Sequence, residues 1–193
     1  RNAPVEELPV VFESMLLQSD PGRLGKYLRV FSRRALPEFD SRLLQYFDHM
    51  NTDVRRLANM ALSNYFHHEV RQLAIERLKR GRFLEDELPL LEKNYQVGDA
   101  AIIESAIEIP KSLHQLHGVI FELLGVFEAN PVKESANAMY FVYEQSPCSN
   151  CRARAVRILL DTGGAQDWLL DECGHDSQED TRYMVKIPDN DGD

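Results

Sequence analysis

Four residues in the last quarter of the chain have side chains that commonly bind zinc. Cys148 and Cys151 form a Cys-x-x-Cys pair, and Cys173 and His175 follow further along. Three thiolates and one imidazole match the ligand types and the ligand number of a closed tetrahedral zinc site. If the pair begins one helix and Cys173 ends its antiparallel partner, all four groups lie at the same end of that hairpin. The pattern is therefore compatible with a structural zinc site.

Two other interpretations of these cysteines stay open. A free cysteine packs well as a small apolar side chain, and Cys151 stands where a repeated pattern, described below, has valine. A Cys-x-x-Cys pair can also be a redox pair, although the strand–helix context of thioredoxin-like motifs is missing. Simple packing is the interpretation favoured by the sequence, so no cofactor is required.

The remaining motifs of enzyme sites are absent from the sequence. His114 and His117 lie three residues apart on a predicted helix and can face the same way. No acid or thiol at a related spacing completes a site with them, so we interpret both as ordinary helix residues. No Ser-His-Asp arrangement, phosphate-binding glycine loop or paired-carboxylate motif is found, and a non-catalytic protein is expected.

Two clusters of basic residues are candidates for binding an anion. The first lies on one predicted helix and consists of Arg23, Lys26, Arg29, Arg33 and Arg34. The second surrounds the end of a later helix and consists of Arg77, Lys79, Arg80 and Arg82. Such strips bind an acidic partner or a phosphate backbone, although a solvated helix face accounts for them as well. The first cluster is our candidate partner-binding surface.

The composition favours protein partners over nucleic acid. The 193 residues include 22 Lys and Arg against 31 Asp and Glu, which gives a formal net charge of −9. General nucleic-acid binding draws on Lys and Arg that meet phosphates, so this balance argues against it. The three cysteines are few and odd in number, which is typical of a reducing cytosol. No apolar run approaches membrane-spanning length, and a cytoplasmic location is expected.

Amphipathic helical patterns run along the whole chain, separated by proline and glycine. The apolar residues of 113–127, for example, recur at helical spacing, and Pro110 and Pro131 bound this stretch. The patterns predict about eleven or twelve short helices and no strand. Short connections make sequential helices antiparallel neighbours. We expect one domain over 1–186, followed by an acidic, disordered tail over 187–193.

One ten-residue pattern occurs twice in quick succession. Residues 53–62 and 69–78 both read acid-Val-Arg-x-Leu-Ala-x-x-x-Leu. Weaker copies occur at 150–159 and 180–185, where Arg152 and Arg182 take the arginine position. Self-similarity of this kind indicates a repeat architecture of stacked amphipathic helices around a continuous core.

The pattern resembles that of HEAT repeats, in particular the short HEAT-like repeats of phycobilisome-lyase-like proteins. The match is carried by Asp53, Val54, Arg55 and Ala58, and again by Glu69, Val70, Arg71 and Ala74. The resemblance implies an all-α solenoid, a superhelix of antiparallel helix pairs. It also implies that the acid and the arginine tie neighbouring turns together, a role that would fall here to Asp53, Arg55, Glu69, Arg71, Arg152 and Arg182.

Together these observations predict a scaffold or adaptor that binds a protein partner along one face. Stacked helices provide an extended groove with many independently variable side chains. Two alternatives stay open. A HEAT-like nucleic-acid-binding enzyme of the DNA glycosylase type is favoured by the basic clusters. A zinc-stabilised regulatory domain of a larger protein is favoured by the cysteines.

Overall fold

The computed structural model describes residues 4–81 and 84–185, and every regular element in these ranges is helical. The predicted all-α class is therefore confirmed for this part of the chain. The predicted acidic tail, 187–193, lies outside the described residues. Within the described ranges, none of the helices combines the length and the apolar character that a membrane span needs.

The chain divides into two compact units, residues 1–96 and 97–193. Each unit has its own buried apolar core, which is the minimum that a helical unit needs to hold together. The continuity of a single solenoid over 1–186 stays a prediction.

In its described residues, 4–81 and 84–96, the first unit contains five α-helices and three 3-10 helices. The α-helices are α1 (Leu8–Leu16), α2 (Pro21–Phe31), α3 (Thr52–Leu62), α4 (His68–Lys79) and α5 (Leu84–Glu87). The 3-10 helices are Val5–Glu7, Ser41–Asp48 and Leu88–Leu91. Helices α2 and α3 pack closely along each other, and α4 packs against Leu88–Leu91.

Local sequence signals explain where α2 and α4 begin and end. Asp20 caps α2 by accepting the Arg23 backbone N–H at 2.8 Å, and Pro21 occupies the first helical position. Helix α4 ends at Gly81, whose φ of 66° is the left-handed conformation that favours glycine. The apolar face of α2 is buried and includes Phe31, which meets Phe12 of α1 edge to face.

Over residues 97–185, the part of it that is described, the second unit contains six α-helices and one 3-10 helix. The α-helices are α6 (Asp99–Ala106), α7 (Leu113–Ala129), α8 (Ala136–Gln145), α9 (Ser149–Asp161), α10 (Asp167–Cys173) and α11 (Glu179–Val185). The 3-10 helix is Lys133–Ser135. Helix α9 packs most extensively against α8 and also against α7, so its first turn lies beside the first half of α7.

The four arginines of the repeated pattern occupy equivalent positions. Each is the fourth residue of its helix: Arg55 in α3, Arg71 in α4, Arg152 in α9 and Arg182 in α11. The residue before each arginine is buried, and these residues are Val54, Val70, Cys151 and Thr181. The two weak copies of the pattern therefore have the same placement as the two strong ones.

Three of these arginines bond to the segment that precedes their helix. Arg55 donates to the His49 carbonyl at 2.7 Å, Arg152 to that of Ser146 at 3.3 Å, and Arg182 to that of Asp176 at 2.6 Å. Each acceptor is six residues earlier in the sequence. The guanidinium group thereby satisfies a carbonyl in the connection and fixes the angle at which the chain enters the helix.

Candidate functional site

A cluster of two thiols and one imidazole lies where α9 meets α7. Cys148 is the N-cap residue of α9, and Cys151 is the third residue of the helix. The Cys151 sulfur lies 3.6 Å from Nε2 of His117, which is on α7. Among the described residues, these three side chains form the one group of His, Cys, Asp or Glu that places three ligand atoms within 4.8 Å of one another.

The helix start that carries the cysteines is held by local hydrogen bonds. The Cys148 N–H donates to the Ser146 hydroxyl at 3.2 Å, and that hydroxyl donates to the Cys148 carbonyl at 3.3 Å. Arg152 holds the Ser146 carbonyl, as described above. Cys151 is 3% exposed because it fills the buried slot that valine takes in the stronger repeats. Core packing thus fixes the position of Cys151, and the hydrogen bonds of Ser146 hold Cys148 next to it.

The pKa values of the two thiols are shifted in opposite directions. The Cys151 backbone N–H and the His117 imidazole stabilise the Cys148 thiolate and lower the pKa of Cys148 to about 7. Burial raises the pKa of Cys151 to about 11, and the neighbouring Cys148 adds to that effect. At neutral pH the half-buried outer thiol is therefore partly ionised, whereas the inner thiol keeps its proton.

A fixed cation lies next to the cluster. Arg154 of α9 forms a two-point ion pair with Glu128 of α7, at 2.6 Å for both contacts, and its guanidinium carbon lies 5.1 Å from the centre of the Phe121 ring. Glu128 is the main cause of the raised pKa of Arg154, and the thiols of Cys148 and Cys151 contribute to it. The electrostatic influence is mutual, so Arg154 favours ionised sulfur in the cluster.

The structure does not assemble the four zinc ligands proposed from the sequence. Cys173 is fully buried with its sulfur 3.9 Å from the Tyr143 hydroxyl, and His175 is an exposed residue beyond the end of α10. Neither belongs to the cluster around Cys148 and Cys151. The reason is that α10 packs chiefly against α11, so it is not the antiparallel partner of α9 that the expectation required.

His117 is the member of the cluster that sequence reasoning missed. It lies 34 residues before Cys151, on a helix that is not next to α9 in the chain. The closest signal in the sequence is the spacing of His114 and His117, which had no completing ligand at a related spacing. Only the packing of α7 against α9 supplies the thiols.

The second unit also contains an open cleft with a volume of about 500 Å³. Its lining includes Tyr143, Glu144, Arg152, Trp168, Glu172 and Asp176. Arg152 approaches Asp176 at 3.9 Å, and the Trp168 ring packs against that of Tyr140 at a tilt of 30°, with centroids 5.5 Å apart. The indole N–H donates to Gln166 at 2.8 Å. Acidic side chains outnumber the one arginine, so the cleft is unsuited to anions.

The first basic cluster is a solvent-facing strip that begins on α2, but Arg33 and Arg34 lie beyond the end of this helix, unlike the prediction of one helix for all five residues. Arg23, Lys26, Arg29 and Arg33 are exposed, and Arg34 is half-buried. Along α2, Arg23, Lys26 and Arg29 lie on the side away from the buried Leu24 and Leu28. In the described part of the chain, no carboxylate lies within 4.0 Å of their charged groups.

The second basic cluster is not one surface. Arg77 is 8% exposed and donates to Glu87 at 2.6 Å and to Asp48 at 2.9 Å, inside the first unit. Lys79 and Arg80 remain on the surface, and Arg82 lies outside the described residues. Arg77 is therefore part of the core rather than of an anion-binding strip.

Comparisons of the chain with protein-family models, with curated proteins and with solved structures found no match.

Proposed function

We propose that this chain is a non-catalytic helical-repeat module of the HEAT-like type, which binds an acidic segment of a protein partner through the exposed strip on α2. The strip is defined as Arg23, Lys26, Arg29 and Arg33. The proposal combines an architecture, a surface and the charge of the partner, and each has its own support.

The repeat arginines support the architecture. Arg55, Arg152 and Arg182 donate to carbonyls six residues upstream, and Arg71 holds the same helical position. The same side-chain bond at the start of three helices is what a repeated structural unit is expected to show. Stacking helices in this way would leave one face of each unit available to a partner.

The strip on α2 carries the functional part of the proposal. Within the described residues, none of these four exposed cations has a carboxylate within 4.0 Å of its charged group, although the formal charge of the chain is −9. If these cations only stabilised the fold, some of the more numerous carboxylates would be expected to form ion pairs with them. An unpaired positive strip attracts an acidic segment and speeds its association.

A protein is a better partner than a nucleic acid for this surface. The strip covers one short helix and Arg33 just beyond its end, and the overall negative charge repels a polyanion whose phosphates extend beyond four cations. A short acidic peptide segment can match the length of the strip. The nucleic-acid alternative is therefore treated as an outcome of the test.

The experiment is an affinity pull-down with the tagged full chain from its native lysate after nuclease treatment, read by mass spectrometry. The strip variant carries Arg23→Glu, Lys26→Glu and Arg29→Glu. The control carries Lys111→Glu, Lys133→Glu and Arg157→Glu, which are exposed residues of the second unit, so both variants change the net charge equally. We expect one protein, rich in acidic segments, that the control retains and the strip variant loses.

Two results would overturn the proposal. The first is capture from untreated lysate that disappears after nuclease treatment, which would favour the nucleic-acid alternative. The second is equal capture by both charge-reversed variants, which would show that binding does not use the strip. Wild-type binding that is stronger at low salt than at high salt adds support, because ions screen exposed charge pairs.

A further inference from the structure

We propose that the second unit binds one zinc ion through Cys148, Cys151 and His117, with a fourth coordination position left to an exogenous ligand. This ligand set replaces Cys173 and His175 with a histidine from α7. It concerns the unit over 97–193 and does not depend on the strip of the first unit.

The spacing of the ligand atoms fits zinc. With Zn–S bonds of about 2.3 Å and Zn–N bonds of about 2.0 Å at tetrahedral angles, the sulfur–nitrogen edge is about 3.5 Å and the sulfur–sulfur edge about 3.8 Å. The observed distance between the Cys151 sulfur and His117 Nε2 is 3.6 Å, and all three ligand atoms lie within 4.8 Å of one another. A small rotation of the half-buried Cys148 side chain completes the triangle.

The ligands come from elements that are already fixed. Cys151 is held by core packing of α9, Cys148 by the two hydrogen bonds of Ser146, and His117 by α7, which packs along α9. A preorganised site pays little ordering entropy on binding, which favours affinity. The Cys-x-x-Cys spacing places both sulfurs on one turn, as in many zinc-binding proteins.

The charges also balance at this position. Zinc binds both sulfurs as thiolates, so any proton still on Cys148 or Cys151 is released to solvent, and the two thiolates with a neutral imidazole neutralise Zn²⁺. The adjacent cation of Arg154 is already paired with Glu128, so it adds no uncompensated charge. Nothing in the coordination step changes an oxidation state.

The number of protein ligands determines the kind of site. Closed structural zinc sites have four protein ligands, whereas three leave one position for water or another ligand. In the described part of the chain, no further His, Cys, Asp or Glu joins the group. Because Cys148 is half-buried, a small molecule or a side chain of another protein can reach the metal from solvent.

The test is a Zn²⁺ titration of the reduced, chelator-stripped full chain under anaerobic conditions, in competition with a chromophoric chelator. We expect one Zn²⁺ per chain. Cys148→Ser and His117→Ala are expected to weaken binding by at least about 100-fold, since even removing an outer-shell partner of a metal ligand costs 10–100-fold. Two matched controls, His114→Ala one turn away on α7 and His175→Ala, are expected to bind like the wild type.

Cobalt supplies a second readout. Substituted Co²⁺ is expected to give thiolate-to-cobalt charge-transfer absorption, and added imidazole is expected to shift its visible bands because one position is open. Circular dichroism of the metal-free variants shows whether they fold. If His117→Ala fails to fold, Cys148→Ser at the helix cap decides the assignment.

Three outcomes would overturn the proposal. They are the absence of stoichiometric binding by the wild type, unchanged affinity in Cys148→Ser, and loss of binding in His175→Ala, which would return the site to the ligands suggested by the sequence. Cobalt bands that do not respond to imidazole would overturn the open position.

Discussion

Nε of Arg77 lies 2.6 Å from Oε1 of Glu87 in the interior of the first unit, while Oε2 of Glu87 has no hydrogen-bond partner among the described residues. Glu87 is fully buried, and burial raises its pKa to about 7 despite the neighbouring guanidinium. The ion pair joins α4 to α5, and Asp48 extends it to the 3-10 helix Ser41–Asp48. Its two members lead to two separate predictions.

The first prediction concerns the pH dependence of stability. The pKa of Glu87 rises from 4.5 to about 7 on folding, so the folded chain binds more protons than the unfolded chain between these values. Stability due to this group is therefore full below about pH 4.5 and is lost as the pH rises towards 7. Glu87→Gln removes the titrating group and keeps an oxygen that can accept from Arg77.

We expect the free energy of unfolding of Glu87→Gln, minus that of the wild type, to increase by about 2–3 kcal/mol between pH 4.5 and 7. Urea unfolding followed by far-ultraviolet circular dichroism at several pH values measures this difference. A difference that is constant over the range would contradict the raised pKa.

The second prediction concerns removal of the cation. Arg77→Met leaves the buried Glu87 carboxyl without its partner, so Glu87 takes up a proton, and the lost hydrogen bond should cost about 1–3 kcal/mol of stability at pH 7. Replacing both residues, by Arg77→Met with Glu87→Met, is expected to recover most of the loss, because a hydrophobic pair replaces an ion pair. A double variant as unstable as the single one would argue against the unpaired carboxyl as the cause.

Arg80 provides the matched control for Arg77. It lies three residues further along, is exposed, and approaches Glu76 only at 3.8 Å. Arg80→Met should therefore change stability by no more than about 1 kcal/mol.

The third prediction tests the repeat arginines. Arg55 donates to the carbonyls of His49 and Met50, whereas its neighbour Arg56 is exposed, pairs with Asp53 at 3.8 Å and donates to the Met60 sulfur at 3.5 Å. Arg55→Gln should cost about 1–3 kcal/mol, because it leaves a partly buried carbonyl unsatisfied. Arg56→Gln should cost less than about 0.5 kcal/mol. Thermal and urea unfolding of the two variants measure the difference, and equal costs would remove the structural role assigned to Arg55.

The fourth prediction concerns thiol reactivity in the metal-free chain. Cys148 is half-buried with a pKa of about 7, while Cys151 and Cys173 are buried. Iodoacetamide should therefore alkylate Cys148 first, with a rate that rises with pH around a midpoint near 7. His117→Ala removes one group that stabilises the thiolate, and it should shift this midpoint upward. Peptide mass spectrometry at short times identifies the modified residue, and uniform labelling of the three cysteines would contradict the prediction.

Local signals in the sequence were sufficient for the helices and for the repeat positions. The cap and proline at Asp20-Pro21 define the start of α2, and the arginine pattern falls at the fourth residue of four helices, including the weak copies at Arg152 and Arg182. These features depend on neighbours within one helix and its preceding connection. Such short-range interactions are encoded by spacing alone.

The composition of the cysteine cluster could not be predicted, because it depends on which helices pack together. The expectation of Cys173 and His175 assumed that α10 pairs with α9, and the packing of α9 against α7 brings His117 instead. The same limit applies to Arg77. It resembles Lys79 and Arg80 in the sequence, and only the position of Glu87, ten residues on, makes it a buried residue.

The contact between Trp168 and Tyr140 gives the chain an intrinsic fluorescent probe. Trp168 is the single tryptophan of the sequence, and it lies at the cleft of the second unit. Fluorescence excited selectively at the indole therefore reports on the unit of residues 97–193 alone, without any label. Its emission also responds to ligands that enter the cleft, so binding to this unit can be followed in the unmodified protein while circular dichroism records the helices of the whole chain.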